Sequence, residues 1–148
     1  MKARTLVIED NPVNQELFVC LLRAAGHVAI RTSSGEAGLR AARYEQPNLI
    51  VCDVSLPGID GCEVARQLKL DAVTRSIPVV AVTAHAMGGD RDSALAAGFD
   101  GYITKPIDPR TFVGQLEQFL SKEGAELAKK PRRRKAAGRQ TLARAVLA

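Results

Sequence analysis

The feature that most constrains this chain is a series of short apolar runs, each closed by polar or charged residues. Thr5-Leu6-Val7-Ile8 ends in Glu9-Asp10, and Asn48-Leu49-Ile50-Val51-Cys52 ends in Asp53. Ile77-Pro78-Val79-Val80-Ala81-Val82 ends in Thr83, and Gly101-Tyr102-Ile103-Thr104 ends in Lys105-Pro106. Runs of this length, rich in β-branched residues and without alternation, read as strands buried on both faces. Stretches of helical periodicity separate them, which is the pattern of repeated β-α units on a parallel sheet. In such a sheet the carboxyl ends of the strands line one crevice, where ligands bind. Three acids, a hydroxyl and a lysine on that edge describe a site for a divalent cation together with an anion.

The intervening stretches carry helix start and stop signals. Asn11 is a good N-cap with Pro12 at the first helical position, and Val13, Leu17, Cys20, Leu21 and Ala24 recur as one apolar face before Gly26. Val28-Ala29-Ile30 makes a short second strand. Ser33 or Ser34 can cap a helix over roughly 35–45. Leu56-Pro57-Gly58-Ile59-Asp60-Gly61 is turn-rich and leads into a helix through Val64, Ala65 and Leu68. A fourth helix is expected over roughly 87–97, stopped by Gly98. Asp108 then caps a last helix, with Pro109 at its first position and Phe112, Leu116, Phe119 and Leu120 on its apolar face.

The 148 residues suit one domain with a real core, and with Trp absent and aromatics few an aliphatic core is expected. No stretch approaches the ~18 to 20 continuous apolar residues of a membrane span. Met1-Lys2-Ala3-Arg4 runs directly into a strand without a signal-peptide apolar region, which argues against export. Cys20, Cys52 and Cys62 form no C-x-x-C pair, and an odd count argues against a disulfide framework. Cys20 and Cys52 lie in apolar runs and read as small core residues. A reducing, cytoplasmic setting is expected.

The net charge of +5 is unevenly spread. Residues 1–121 hold 12 Lys and Arg against 14 Asp and Glu, a net of −2, whereas residues 122–148 hold 9 against 2, a net of +7. A folded domain over 1–121 and a basic, disordered tail over 122–148 are therefore expected. The tail leaves open contact with nucleic acid or another acidic partner, beside the plain reading of a solvated extension.

Clustered carboxylates raise one another's pKa unless a cation joins them, so Glu9, Asp10 and Asp53 favour a hard cation. Mg²⁺ is the usual choice where protein ligands are few. With a cation in place, Asp53 can act as a nucleophile toward a phosphoryl group. Lys105 offers a point charge to one phosphoryl oxygen and the Thr83 hydroxyl a hydrogen bond to another. Each residue alone has a plainer reading as a turn residue, a helix cap, a strand-end hydroxyl or a solvated lysine. Their occurrence at successive strand ends is the specific signal.

Val7-Ile8-Glu9-Asp10-Asn11, Asp53-Val54-Ser55-Leu56-Pro57-Gly58-Ile59-Asp60-Gly61, Val82-Thr83-Ala84 and Tyr102-Ile103-Thr104-Lys105-Pro106 resemble the receiver domain of two-component response regulators. The resemblance runs over about residues 3–121 and holds every motif in order. It implies a doubly wound, flavodoxin-like, five-stranded parallel sheet of order 2-1-3-4-5 with five helices. It also implies that Asp53 accepts a phosphoryl group from a histidine kinase or histidine phosphotransfer protein, in a signalling switch that promotes its own phosphorylation and dephosphorylation. Asp10 would ligate Mg²⁺ directly, Glu9 through water, with Asp53 and the Ser55 backbone carbonyl completing the protein ligands. Thr83 and Tyr102 match the family's switch pair, acting on a downstream target through the face of the fourth helix, fifth strand and fifth helix. Ser55 and His85 stand where the family varies and tunes dephosphorylation. Asp10-Asn11-Pro12-Val13-Asn14 resembles receivers of hybrid kinases and of certain stand-alone regulators.

Three rivals stand beside this. A phosphatase with an aspartate nucleophile usually needs an acid two residues on, where this chain has Ser55. The others are a nucleic-acid-binding protein that uses the tail, and a receiver within a larger signalling enzyme. Nothing after residue 121 reads as an output domain, which favours a stand-alone regulator.

Overall fold

The computed structural model describes residues 2–84 and 88–129. Five β-α units follow one another: β1 (Arg4–Ile8), α1 (Pro12–Ala24), β2 (Val28–Thr32), α2 (Gly35–Glu45), β3 (Leu49–Asp53), α3 (Gly61–Leu70), β4 (Val79–Thr83), α4 (Gly88–Ala97), β5 (Gly101–Thr104) and α5 (Phe112–Lys129). The strands form one sheet in the order β2-β1-β3-β4-β5. Every neighbouring pair is parallel. The doubly wound sheet with five helices expected from the sequence is the one observed.

Strand alternation divides the core in two. Leu6, Ile8, Ile50, Cys52, Val79 and Ala81 point to one face, where they meet Ala42 of α2, Val64, Ala65 and Leu68 of α3, and Ala94 of α4. Val7, Leu49, Val51, Val80 and Val82 point to the other, where Phe18, Val19 and Leu22 of α1 and Phe112 and Leu116 of α5 cover them. Phe18 and Phe112 stack with ring centroids 5.1 Å apart, the aromatic contact that joins α1 to α5. Almost all of these side chains are fully buried, which explains why the strands read as unbroken apolar runs.

The helix signals hold in most places. The Asn11 side chain accepts from the Val13 and Asn14 backbone N–H groups, Ser34 from Ala37, and Asp60 from Glu63. Gly26 and Gly98 stop α1 and α4 with φ of +92° and +116°, a region that an L side chain rarely adopts. Two expectations need correction. The apolar face assigned to α1 is rotated: Val13, Cys20 and Ala24 are exposed, and the buried residues are Phe18, Val19 and Leu22. The sheet selects the bulkier side chains, because they remove more apolar area from water than Cys or Ala. Cys20 is thus a surface residue, hydrogen-bonded to Glu16, while Cys52 is buried as expected. The last helix starts at Phe112 instead of Pro109, because Asp108 first organises a turn. Its carboxylate accepts from the Arg110 N–H and its carbonyl from Thr111 and Phe112.

α5 continues to Lys129, eight residues beyond the boundary at 121 drawn from composition. Among the described residues no helix is long and apolar enough to cross a membrane.

Candidate functional site

The sheet order reverses between β1 and β3, where the connection leaving β1 runs to β2 and the connection leaving β3 runs the opposite way to β4. Crossovers from the two strands part at that point and open a crevice at their carboxyl ends. Ile8 pairs with Cys52, so Glu9 and Asp53 emerge side by side on its rim. Asp53 pairs with Val82 and Thr83 with Thr104, which sets Thr83 and Lys105 along the same edge. The Lys105 N–H donates to the Thr83 carbonyl at 2.7 Å, and the Lys105–Pro106 peptide bond is cis.

The acids converge. Glu9, Asp10 and Asp53 each offer a carboxylate oxygen, and these oxygens lie within 4.8 Å of one another. Glu9 and Asp53 are buried and Asp10 is exposed. The Lys105 ammonium lies 3.3 Å from Asp53 Oδ2 and 3.3 Å from Glu9 Oε1. The second oxygen of each buried acid accepts a backbone N–H: Asn11 donates to Glu9 Oε2 at 3.1 Å, and Ser55 to Asp53 Oδ1 at 3.0 Å. Glu9 Oε1 is buried without a hydrogen-bond donor. Its approach to Lys105 is therefore a charge contact without hydrogen-bond geometry. Burial pushes the Glu9 carboxyl up to about 6; the Asn11 N–H opposes this, and the Asp53 charge adds to it. Oxygen donors held close together, one of them orphaned, fit a hard divalent cation of the Mg²⁺ type.

Thr83 is buried at the end of β4, and Tyr102 is half-buried on β5 against the core on the α4 side. Ala81 pairs with Tyr102 and Thr83 with Thr104, so Thr83 and Tyr102 share one face of the sheet, two positions apart along it. Ser55 is exposed beside the cluster, and His85 lies outside the described residues. The structure therefore brings Glu9, Asp10, Asp53 and Lys105 into one cluster, with Ser55 touching it through its N–H.

Three supporting residues escaped the sequence reading. The Gln15 side-chain amide donates to the Glu9 and Thr32 carbonyls at 3.1 and 3.0 Å, fixing the end of β1 against β2. Its signal was a polar residue on the first full turn after a strong N-cap. A Cβ on Gly61 would lie 2.4 Å from the Asp53 carbonyl oxygen and 2.6 Å from Val54 Cα, while its N–H donates to the Val54 carbonyl at 2.8 Å. The turn-rich loop thus folds back against the residue that carries the nucleophilic carboxylate. His27 is buried and structural, with Nδ1 accepting from the Ala3 N–H at 3.0 Å and Nε2 facing Glu117 at 2.8 Å.

Comparison with known proteins agrees with this geometry. The family model for the response regulator receiver domain matches residues 5–129. The chain belongs to that family, and so to two-component signalling. Over 120 residues it is 42% identical to a polar-differentiation response regulator DivK of Brucella ovis, covering 81% of this chain and 98% of that protein. A structure of the receiver domain of a sensor histidine kinase from Pseudomonas aeruginosa PAO1, with magnesium coordinated in its active-site cleft, superposes with a TM-score of 0.76 at 30% identity, covering 82% of this chain and 99% of that one. A CheY-like receiver domain protein from Methanospirillum hungatei JF-1 gives 0.78 at 24% identity over 85% and 99%, a likeness of fold. Receiver domains bind Mg²⁺ at their acidic pocket and interact with histidine kinases and downstream targets.

Proposed function

We propose that this chain is a stand-alone response regulator that accepts a phosphoryl group on Asp53 in a Mg²⁺-dependent reaction. The observation that carries the proposal is the convergence of Glu9, Asp10 and Asp53 oxygens within 4.8 Å, with Lys105 at 3.3 Å from two of the acids. An Asp53 carboxylate oxygen attacks phosphorus as the donor's N–P bond breaks, and the leaving imidazole of a histidine kinase or histidine phosphotransfer protein takes up a proton. Bound at Glu9, Asp10, Asp53 and the Ser55 carbonyl, Mg²⁺ would neutralise charge on the acids and on the phosphoryl oxygens. Lys105 holds one phosphoryl oxygen by charge, and the Thr83 hydroxyl donates to another.

The same bond drives the switch. Phosphorylated Asp53 draws Thr83 toward the phosphoryl group, and Tyr102, on the same sheet face, takes up the space that Thr83 leaves. This biases two arrangements of the α4-β5-α5 face, where a downstream target binds. Gly88 and Gly89 open α4, and each Gly weakens a helix by ~1 kcal/mol relative to Ala, which eases the rearrangement. The receiver, expected over 1–121, carries its last helix on to Lys129, a basic segment follows it, and the protein acts in the cytoplasm. This reading also separates the chain from the rival aspartate-nucleophile phosphatases, since Ser55 carries no carboxylate for acid–base work.

Acetyl phosphate labelling followed by intact mass tests the assignment. The wild-type chain gains one phosphoryl group with Mg²⁺ and none with chelator, and Asp53→Asn gains none in either condition. Undiminished labelling of Asp53→Asn would place the acceptor elsewhere.

A further inference from the structure

The start of α1 holds Glu9 at two points. The Asn11 N–H donates to Glu9 Oε2 at 3.1 Å, and the Gln15 side-chain amide donates to the Glu9 carbonyl at 3.1 Å. The Gln15 backbone N–H closes the loop by donating to the Asn11 carbonyl at 2.9 Å. Gln15 Nε2 also donates to the Thr32 carbonyl at 3.0 Å and to Ser33 Oγ at 3.2 Å. We propose that Gln15 is a positioning residue for the cation site: it clamps the peptide joining Glu9 to Asp10 onto the end of β2 and so aims both carboxylates at one Mg²⁺ ion. The proposal rests on the reading of Glu9, Asp10 and Asp53 as ligands of that ion.

Carbonyl oxygens only accept, so two of them around one end of the Gln15 side chain require its NH₂ group there. Gln15 is half-buried, and its bonds are strengthened by the lower local dielectric. The paired register of β1 with β2 ends at Ile8 and Thr32, one residue short of Glu9. The Glu9 N–H still reaches the Thr32 carbonyl at 3.1 Å. Its carbonyl is tied to the same Thr32 oxygen through Gln15, which fastens the chain where the ladder stops. Asp10 follows and is exposed, so the direction of its side chain depends on the peptide plane that Gln15 holds. That plane carries one acid on each side. Mg²⁺ demands near-ideal octahedral geometry, and a small rotation of this peptide would spoil two ligands at once. Groups that orient ligands without touching the metal typically change its affinity about 10- to 100-fold. The position calls for a donor on a long side chain: Asn is a methylene shorter, and Glu would set oxygen against two carbonyl oxygens.

Isothermal titration of Mg²⁺ into the full chain tests this, with backbone carbonyl ¹³C shifts recorded in chelator as a readout that needs no metal. Gln15→Met keeps the length and removes the donor. It should weaken Mg²⁺ binding about tenfold and shift the Glu9 and Thr32 carbonyl resonances before any Mg²⁺ is added. Gln15→Asn, whose amide falls short, should do the same. His27→Ala loosens the fold elsewhere, at the Ala3 N–H and Glu117. It should keep Mg²⁺ affinity within about twofold of wild type, as expected for a distant, independent site. Unshifted carbonyl resonances, Mg²⁺ affinity unchanged in both Gln15 variants, or equal weakening by His27→Ala would each overturn the proposal while leaving the ligand assignment standing. A wild-type chain that binds no Mg²⁺ overturns that assignment and the role of Gln15 with it.

Discussion

The two edges of the sheet treat a buried polar group in opposite ways. At the amino edge His27 is 4% exposed, and both of its ring nitrogens are engaged, by the Ala3 N–H and by Glu117. At the carboxyl edge Glu9 is 1% exposed, sits beside a second buried acid, and keeps Oε1 without a hydrogen-bond donor. Sheet and depth are the same, yet one group is closed off by the chain and the other is left open to something outside it. A satisfied buried polar group ties elements together, here β1, the α1–β2 turn and α5. A buried acid short of donors costs stability and persists where a cation or a phosphoryl group needs it. The difference separates structure from site without reference to any relative.

The sharpest way to break this contrast is His27→Ala. It leaves the Ala3 N–H buried without an acceptor and opens a cavity, and should cost about 2–4 kcal/mol. Urea unfolding reads this as a lower midpoint at unchanged slope, and a loss below ~1 kcal/mol would mean that the amino edge is not held as described. Glu9→Gln should act in the opposite sense, stabilising the Mg²⁺-free protein near neutral pH by about 1–2 kcal/mol because it removes a repelling charge from beside Asp53. The same variant should lose much of the rise in Tm that Mg²⁺ gives the wild type. Equal stabilisation of both proteins by Mg²⁺ would remove Glu9 from the cation site.

The pH dependence follows from the Glu9 carboxyl, which burial raises from its ordinary 4.5 to about 6. The folded state then holds the proton more tightly than the unfolded chain. Stability contributed by this group is complete below about 4.5 and is lost as pH rises through about 6. In chelator, the Glu9 contribution should be visible as a downward slope between those values when wild type is compared with Glu9→Gln by chemical denaturation. Mg²⁺ competes with the proton, so its affinity should rise across the same interval. An Mg²⁺ affinity flat from pH 5 to 7 would contradict the assignment. The smallest effect is expected for Cys20→Ala, within about 0.5 kcal/mol, because the thiol is at the surface. A large loss would restore Cys20 to the core face from which the structure removes it.

Much of this was legible in residue order. Unbroken apolar runs announce strands covered on both sides, and the polar residue that ends each run announces the edge where the covering stops. Asp53, Thr83 and Lys105 could be placed on one rim because β-α repetition leaves one parallel arrangement to consider. What could not be read depends on neighbours far apart in the chain. The rotation of α1 is set by which side chains find Phe112, some ninety residues on. The role of Gly61 lies in a backbone packing so close that a Cβ there would lie 2.4 Å from the Asp53 carbonyl oxygen, which a turn signal in the sequence does not distinguish from any other loop glycine. The role of His27 leaves no local signal, because its partners, Ala3 and Glu117, come from opposite ends of the domain.

The length of α5 has a consequence for how the two charged parts of the molecule coexist. The 18 residues from Phe112 to Lys129 span about 26 Å at 1.5 Å per residue. The helix runs from the carboxyl edge, past Glu117 under His27, toward the amino edge. Electrostatic influence in physiological salt decays over about 8 Å. The helix therefore delivers the chain to its positive stretch some three screening lengths from the end of α5 nearest the acids. A concentrated positive charge joined at the rim of the crevice would compete with Mg²⁺ for Glu9 and Asp53 and attract phosphate unselectively. The point of attachment lies at the far end of α5, and among the described residues the cation that faces both buried acids is Lys105.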